Sequence, residues 1–212
     1  MQLTREFFEL QLFHVLTFWQ HEDAARRAPE AASLLFVEHA HPDPARETGF
    51  LLRAGETTQV ERAVVAVRAW HADRFYPSVI ESSGVLAQVA SEETRSLATE
   101  IFGRPDFKTI LVISALPTSA VPRERSLHLF QAMGIDHLLE FSTVLHEILV
   151  RISAGGNYAP SQSLQTLRLL KRYGFIRRQQ LEFFFPHEPL PPAQAPLVDA
   201  TETPDPPEED TE

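Results

Sequence analysis

Thr109 to Leu116 reads TILVISAL, an apolar run with no polar alternation until Ser114. A strand with one wet face alternates apolar and polar residues, so this run suits a central strand covered on both faces and parallel to a neighbour. It restricts the chain to a sheet with helices packed over it. The flanking sequence agrees. A helical stretch from about Val85 to Phe102 ends at Gly103, and another runs from Pro122 through Leu127 and Phe130 to Gly134. Proline fits a first helical turn and glycine fits the position after the last one.

The same reasoning extends to both ends. Phe8, Leu12, Val15, Leu16 and Trp19 recur at helical spacing, which predicts a first helix over residues 3 to 20. Leu34 to Val37 predicts a short strand before the breaker His41-Pro42-Asp43-Pro44. Gly49 to Arg53 and Val60 to Trp70 predict two more strands, joined through the turn-like Ala54-Gly55-Glu56-Thr57. Asp136 to Phe141 predicts a further strand. Ser142 then caps a helix carrying Val144, Ile148 and Ile152, and a last helix starts near Ser161. The expected class is α/β: a mixed central β-sheet flanked by helices, in the order α-β-β-β-α-β extended by α-β-α-α.

Charge divides the chain. Residues 187 to 212 hold eight acids, seven prolines, no lysine or arginine and no aromatic residue. Such a segment has too little apolar surface to offset its ordering entropy, so it reads as a disordered acidic, proline-rich tail on a single globular domain spanning 1–186. Those acids account for most of the net charge of −10 and leave the remainder at −2. Arg151 to Arg178 carries six basic residues and no acid. It is a candidate phosphate-facing patch, with Lys171 and Arg172 at its centre. No run of 18 apolar residues exists, and MQLTREFFEL lacks a basic start and a small-residue cleavage site. These features predict a cytoplasmic protein with no membrane partner.

The helix, three strands, helix, strand series over residues 3 to 116 resembles the core of the restriction-endonuclease-like superfamily, the PD-(D/E)xK nucleases. The resemblance implies a Pro-Asp before or on the second strand and an acid-x-Lys on the third, which together bind a divalent metal and position the attacking water. Pro42-Asp43 stands at the first place, and the third strand reads Val65-Ala66-Val67-Arg68. Positions 66 and 68 share a strand face. Ala66 takes the place of the acid and cannot ligate; Arg68 takes that of the lysine and stays protonated. The resemblance is therefore to a degenerate member, non-catalytic or weakly active. Asp43, Glu47 and Glu61 are its candidate catalytic acids, although Glu61 falls on the face opposite Ala66.

Glu38-His39-Ala40-His41-Pro42-Asp43 offers a second chemistry. His-x-His on an extended segment projects both imidazoles to one side, a geometry suited to zinc. HAHPD resembles the HxHxDH signature of metallo-β-lactamase-type hydrolases, and the match breaks at Pro44. A metal-dependent hydrolase using His39, His41 and Asp43 is thus the alternative. No resident cofactor is expected, and a divalent ion, Mg²⁺ or Zn²⁺, is the one these two clusters leave open. His14 and His146 read as packing histidines.

Trp70-His71-Ala72-Asp73-Arg74-Phe75-Tyr76-Pro77 follows the third strand, where open sheets present binding residues. Arg68 and Arg74 join Lys171 and Arg172 as the expected nucleic-acid contacts. The other partner expectation is a protein docked by the last helix and Phe183-Phe184-Phe185, which would make the chain an interaction scaffold. The chain has no cysteine, which excludes thiolate zinc sites, iron–sulfur clusters and thiol nucleophiles. It also lacks a Gly-x-Ser-x-Gly elbow, Walker spacing and Rossmann glycines.

Overall fold

The structure, a computed structural model, describes residues 1–17, 34–42, 48–68 and 74–176. Helix α1 spans Gln2–Leu10, shorter than its apolar spacing predicts. Leu12 breaks it with a left-handed φ of 66°. The chain turns back into strand β1, Phe13–Thr17, so Phe13, Val15 and Leu16 lie on a strand and not on the expected helix.

β1 pairs antiparallel with β2, Leu34–His39, and β2 pairs antiparallel with β3, Arg62–Arg68. Helices α2 (Pro77–Ser82), α3 (Gly84–Ala87) and α4 (Glu92–Phe102) cross to β4, Lys108–Ile113, which runs parallel to β3. Helix α5, Ala120–Ala132, crosses to β5, His137–Glu140, which is parallel to β4. Helices α6 (Phe141–Arg151) and α7 (Gln162–Arg172) follow. The result is one mixed five-stranded sheet in the order β1-β2-β3-β4-β5.

Gly49 to Arg53 is not the expected second sheet strand. Leu52 N–H donates to Leu138 O, Leu138 N–H donates to Phe50 O, and Leu51 forms a single parallel bridge to Leu138 beside β5. Pro42 therefore follows the second strand and does not precede it. The number of strands before β3 is still as expected, because β1 supplies the missing one.

Alternation along each strand builds two cores. Leu34, Phe36, Val64, Ala66, Leu111, Ile113 and Leu138 face α2 to α5, meeting Phe75, Ile80, Ala98 and Phe130. Leu35, Val37, Ala63, Val65, Ile110, Val112 and Leu139 face the other way, onto Phe7, Phe8, Val144, Ile148 and Leu164. Each fully buried large side chain contributes about 1.5–3 kcal/mol. Because the two crossovers step in the same direction along the sheet, right-handed connection places their helices on one face. That leaves the opposite face to α1, α6 and α7. Helix ends follow their local chemistry: Gly103 and Gly134 take left-handed φ after α4 and α5, and the Ser161 hydroxyl accepts from Leu164 N–H at the start of α7. The expected Ser142 cap is replaced by Glu140 at that position, which makes no side-chain cap bond. Among the described residues, no helix is long and apolar enough to cross a membrane.

Candidate functional site

The amino end of β3 gathers charge. Antiparallel register sets Arg62 opposite Glu38, and the Arg62 side chain is only 4% exposed. Its Nε donates to Glu38 Oε1 at 2.8 Å and an Nη donates to Asp106 Oδ2 at 2.9 Å, while the other Nη meets Glu61. Burial works against the guanidinium charge, but the bond to Glu38 and the charges of Glu61 and Asp106 outweigh it and raise the pKa. Glu61 is thus held at this end of the strand, on an arginine rather than near a cation site.

The neighbouring strand end is apolar against imidazole. His39 is buried, edge-on to Phe13 with ring centroids 4.6 Å apart, and its Nδ1 accepts from the His41 N–H at 3.1 Å. His41 is exposed. Asp43 and Glu47 lie outside the described residues. Among the described residues no group of three or more histidines and acids is placed to hold a metal ion. A cavity of about 330 Å³ beside this cluster is lined by Thr48, Glu61, Arg62, Asp106, Lys108 and His137. Gly49 O can only accept, so the 3.1 Å contact assigns the proton to His137 Nδ1. Burial, partly opposed by that bond and by Asp136, pulls the His137 pKa below its ordinary value.

The other end of β3 is different. Ala66 is fully buried, across from Leu34 on β2 and Leu111 on β4. Arg68, the last residue of the strand, lies beside Ile113 and donates to the Val67 carbonyl at 3.0 Å. Its half-burial lowers its pKa from the usual arginine value. Arg74 is exposed and donates to Leu116 O at 3.1 Å, just beyond the carboxyl end of β4. Arg68 and Arg74 therefore share one end of the sheet. Arg68 lies six residues along the strand from Arg62, roughly 20 Å at strand rise. Pro42 follows His39 at the Arg62 end, so the Pro42 segment and the Ala66–Arg68 pair do not converge.

Lys171 and Arg172 do not join the other two arginines. Lys171 Nζ donates to Leu149 O at 2.8 Å and to Ile152 O at 2.6 Å, closing the carboxyl end of α6, while Arg172 points outward. Arg151 is paired with Glu147 at 3.1 Å. From the aromatic segment after β3, Phe75 is buried in the core near Phe130, Tyr76 is exposed, and Trp70 to Asp73 lie outside the described residues. So do Phe183 to Phe185 and the acidic tail.

Sequence reasoning missed the Arg62 cluster and a second, half-buried pair, Arg123 and Glu140. Glu140 Oε1 accepts from Leu116 N–H at 2.8 Å, and Arg123 lies 3.6 Å from its other oxygen. The available signal for Arg62 was an arginine opening an otherwise apolar strand, which demands partners once buried. No family model matches the chain, and no curated protein or solved structure matches it either.

Proposed function

We propose that the chain is a non-catalytic member of the restriction-endonuclease-like folds that binds nucleic acid at the carboxyl end of β3. The element order and the mixed sheet support the resemblance. The observation that carries the functional reading is the pair Ala66 and Arg68: a buried methyl where a metal ligand would stand, followed by a cation at the strand end. Mg²⁺ needs oxygen ligands, and this face of β3 supplies none. Arg68 and Arg74 supply positive charge where an open sheet receives ligands, and phosphate contacts of this kind are indifferent to sequence and weakened by salt.

Fluorescence anisotropy with single- and double-stranded oligonucleotides between 50 and 200 mM salt tests the reading. Affinity is expected to fall with salt, and Arg68→Ala with Arg74→Ala should flatten that dependence. Mg²⁺ or Mn²⁺ should produce no cleavage. Native protein without salt-sensitive binding to either oligonucleotide overturns it. Bound zinc that is lost in a His39→Ala, His41→Ala variant would instead favour the hydrolase reading.

One observation favours a second reading, a contact surface for a protein. Leu169, Leu170, Tyr173 and Phe175 are exposed at the end of α7, with Tyr173 and Phe175 at 71% and 72%. Exposed aromatics grouped in this way are a common mark of interfaces. A partner lost in a Tyr173→Ser, Phe175→Ser variant and kept in Arg74→Ala would put this reading first.

A further inference from the structure

A cavity of about 610 Å³ opens at the carboxyl end of β5, a size suited to a small organic ligand. One wall is apolar: Leu51, Leu52 and Ala54, from the segment bridged to Leu138. The rest of the lining is polar. Glu140, Thr143 and His146 recur three residues apart from the end of β5 into α6, a spacing that places side chains on one helix face, and all three line the cavity. Arg123 reaches in from α5, and Arg53 stands at the apolar side.

The charges do not cancel. Glu140 accepts from the Leu116 N–H and is paired with Arg123, so the guanidinium of Arg53 is the surplus charge of the lining. Glu56, the acid nearest in sequence to Arg53, is turned onto the Arg53 backbone N–H at 2.8 Å. Thr143 and His146 add hydrogen-bonding groups to the lining. A lining with a surplus positive charge, hydrogen-bonding groups and apolar side chains matches a molecule with an anionic head and a hydrocarbon or aromatic body.

We propose that this cavity binds a small organic anion, a carboxylate or a phosphate monoester on an apolar body. The site lies at the carboxyl end of β5, on the same sheet edge as Arg68, which is two strands away in register through Ile113, and its lining includes neither Arg68 nor Arg74.

Calorimetric titration of the full chain with octanoate, phenyl phosphate and inorganic phosphate tests it, and the first two probes distinguish a carboxylate from a phosphate head. At least one organic anion should bind one per chain and about tenfold or more tighter than inorganic phosphate, because only the organic probes reach the apolar wall. Arg123→Ala should weaken that binding about tenfold or more, the scale of a lost charged hydrogen bond. Ala54→Trp, at an exposed wall position, should block it while leaving the salt-dependent binding of oligonucleotides unchanged, and it decides the matter if Arg123→Ala fails to fold. The proposal is overturned if neither organic anion saturates, if inorganic phosphate binds equally well, or if binding survives Ala54→Trp or a folded Arg123→Ala.

Discussion

Lys171 Nζ donates to the carbonyl oxygen of Ile152 at 2.6 Å, and to that of Leu149 at 2.8 Å. Carbonyls in the last turn of a helix have no partner within it and carry the negative end of its dipole, so an ammonium placed there ties α7 to the end of α6. Lys171→Met keeps the apolar stem and removes the donors. It should cost about 1–3 kcal/mol in urea unfolding, and the salt dependence of oligonucleotide binding should stay as in the native chain. Arg172→Ala, on an exposed side chain, should leave stability unchanged. A Lys171→Met protein of native stability with a flattened salt slope would return Lys171 to the phosphate-contact set.

Leu12 holds a left-handed φ of 66° and is 63% exposed. A leucine there has a steric cost and little burial to offset it. Leu12→Gly should therefore stabilise the protein by about 0.5–1 kcal/mol, the relief of strain exceeding the entropy that glycine adds to the unfolded chain. Denaturant midpoints measure it, and a lower midpoint for the variant would show that the leucine contributes more than its exposure implies.

The same turn explains where the sequence misled. Phe8, Leu12, Val15, Leu16 and Trp19 fit a helical period, yet Phe13, Val15 and Thr17 also alternate, and no glycine, asparagine or proline marks the break at Leu12. Gly49 to Arg53 failed for a different reason: a short extended segment bridged to β5 at one residue has the letters of a strand without its ladder. β4 was legible because continuous apolar residues buried on both faces leave few alternatives. Helix ends at Gly103, Gly134 and Ser161 were legible because those residues serve the caps directly. At the candidate site, Arg68 could be placed from its position on β3. Lys171 could not, because periodicity along α7 says nothing of which carbonyls on α6 an ammonium will meet.

His137 is buried beside Gly49 and Thr48, with Asp136, Lys108 and Glu56 as the charges acting on it, and its folded pKa is lowered. The folded protein thus favours the neutral ring, and the unfolded chain binds the proton more readily. The stability contributed by the neutral ring is complete above the ordinary value of 6.5. It is lost as pH falls from there toward the lowered folded value. Urea midpoints from pH 7.5 to 5 should decline for the native chain. His137→Asn should decline less steeply over the same range, whatever its stability at pH 7.5. Parallel profiles for the two proteins would assign the decline to other groups.

Gly156 has packing, not backbone conformation, as its reason. A Cβ built there would lie 2.8 Å from Tyr158 Cε2 and 3.0 Å from the hydroxyl oxygen, and that hydroxyl accepts from Ser153 N–H at 3.0 Å. Gly156→Ala should cost about 1–3 kcal/mol by overpacking. Adding Tyr158→Ala should make the double variant less costly than the sum of the singles, since each removes the need for the other. Additive losses would mean that the ring moves aside freely.

Ala66 separates a degenerate nuclease site from a site that was never open. Its methyl group lies in the core with Leu34, Phe75 and Phe130, so a carboxylate at this position is taken out of water, and Arg68, two residues on along the same face, is turned onto the Val67 carbonyl. Ala66→Glu should cost about 3–5 kcal/mol, the scale of an uncompensated buried charge. Mg²⁺ and Mn²⁺ should recover none of it, because a metal that binds only the folded form would raise the midpoint in proportion to its affinity. Ala66→Gln, of the same size as Glu and uncharged, separates the cost of volume from that of charge. A midpoint for Ala66→Glu that rises with added Mg²⁺ would place position 66 in a cleft open to metal, and the non-catalytic reading of β3 would give way to one in which a single substitution restores the ligand set.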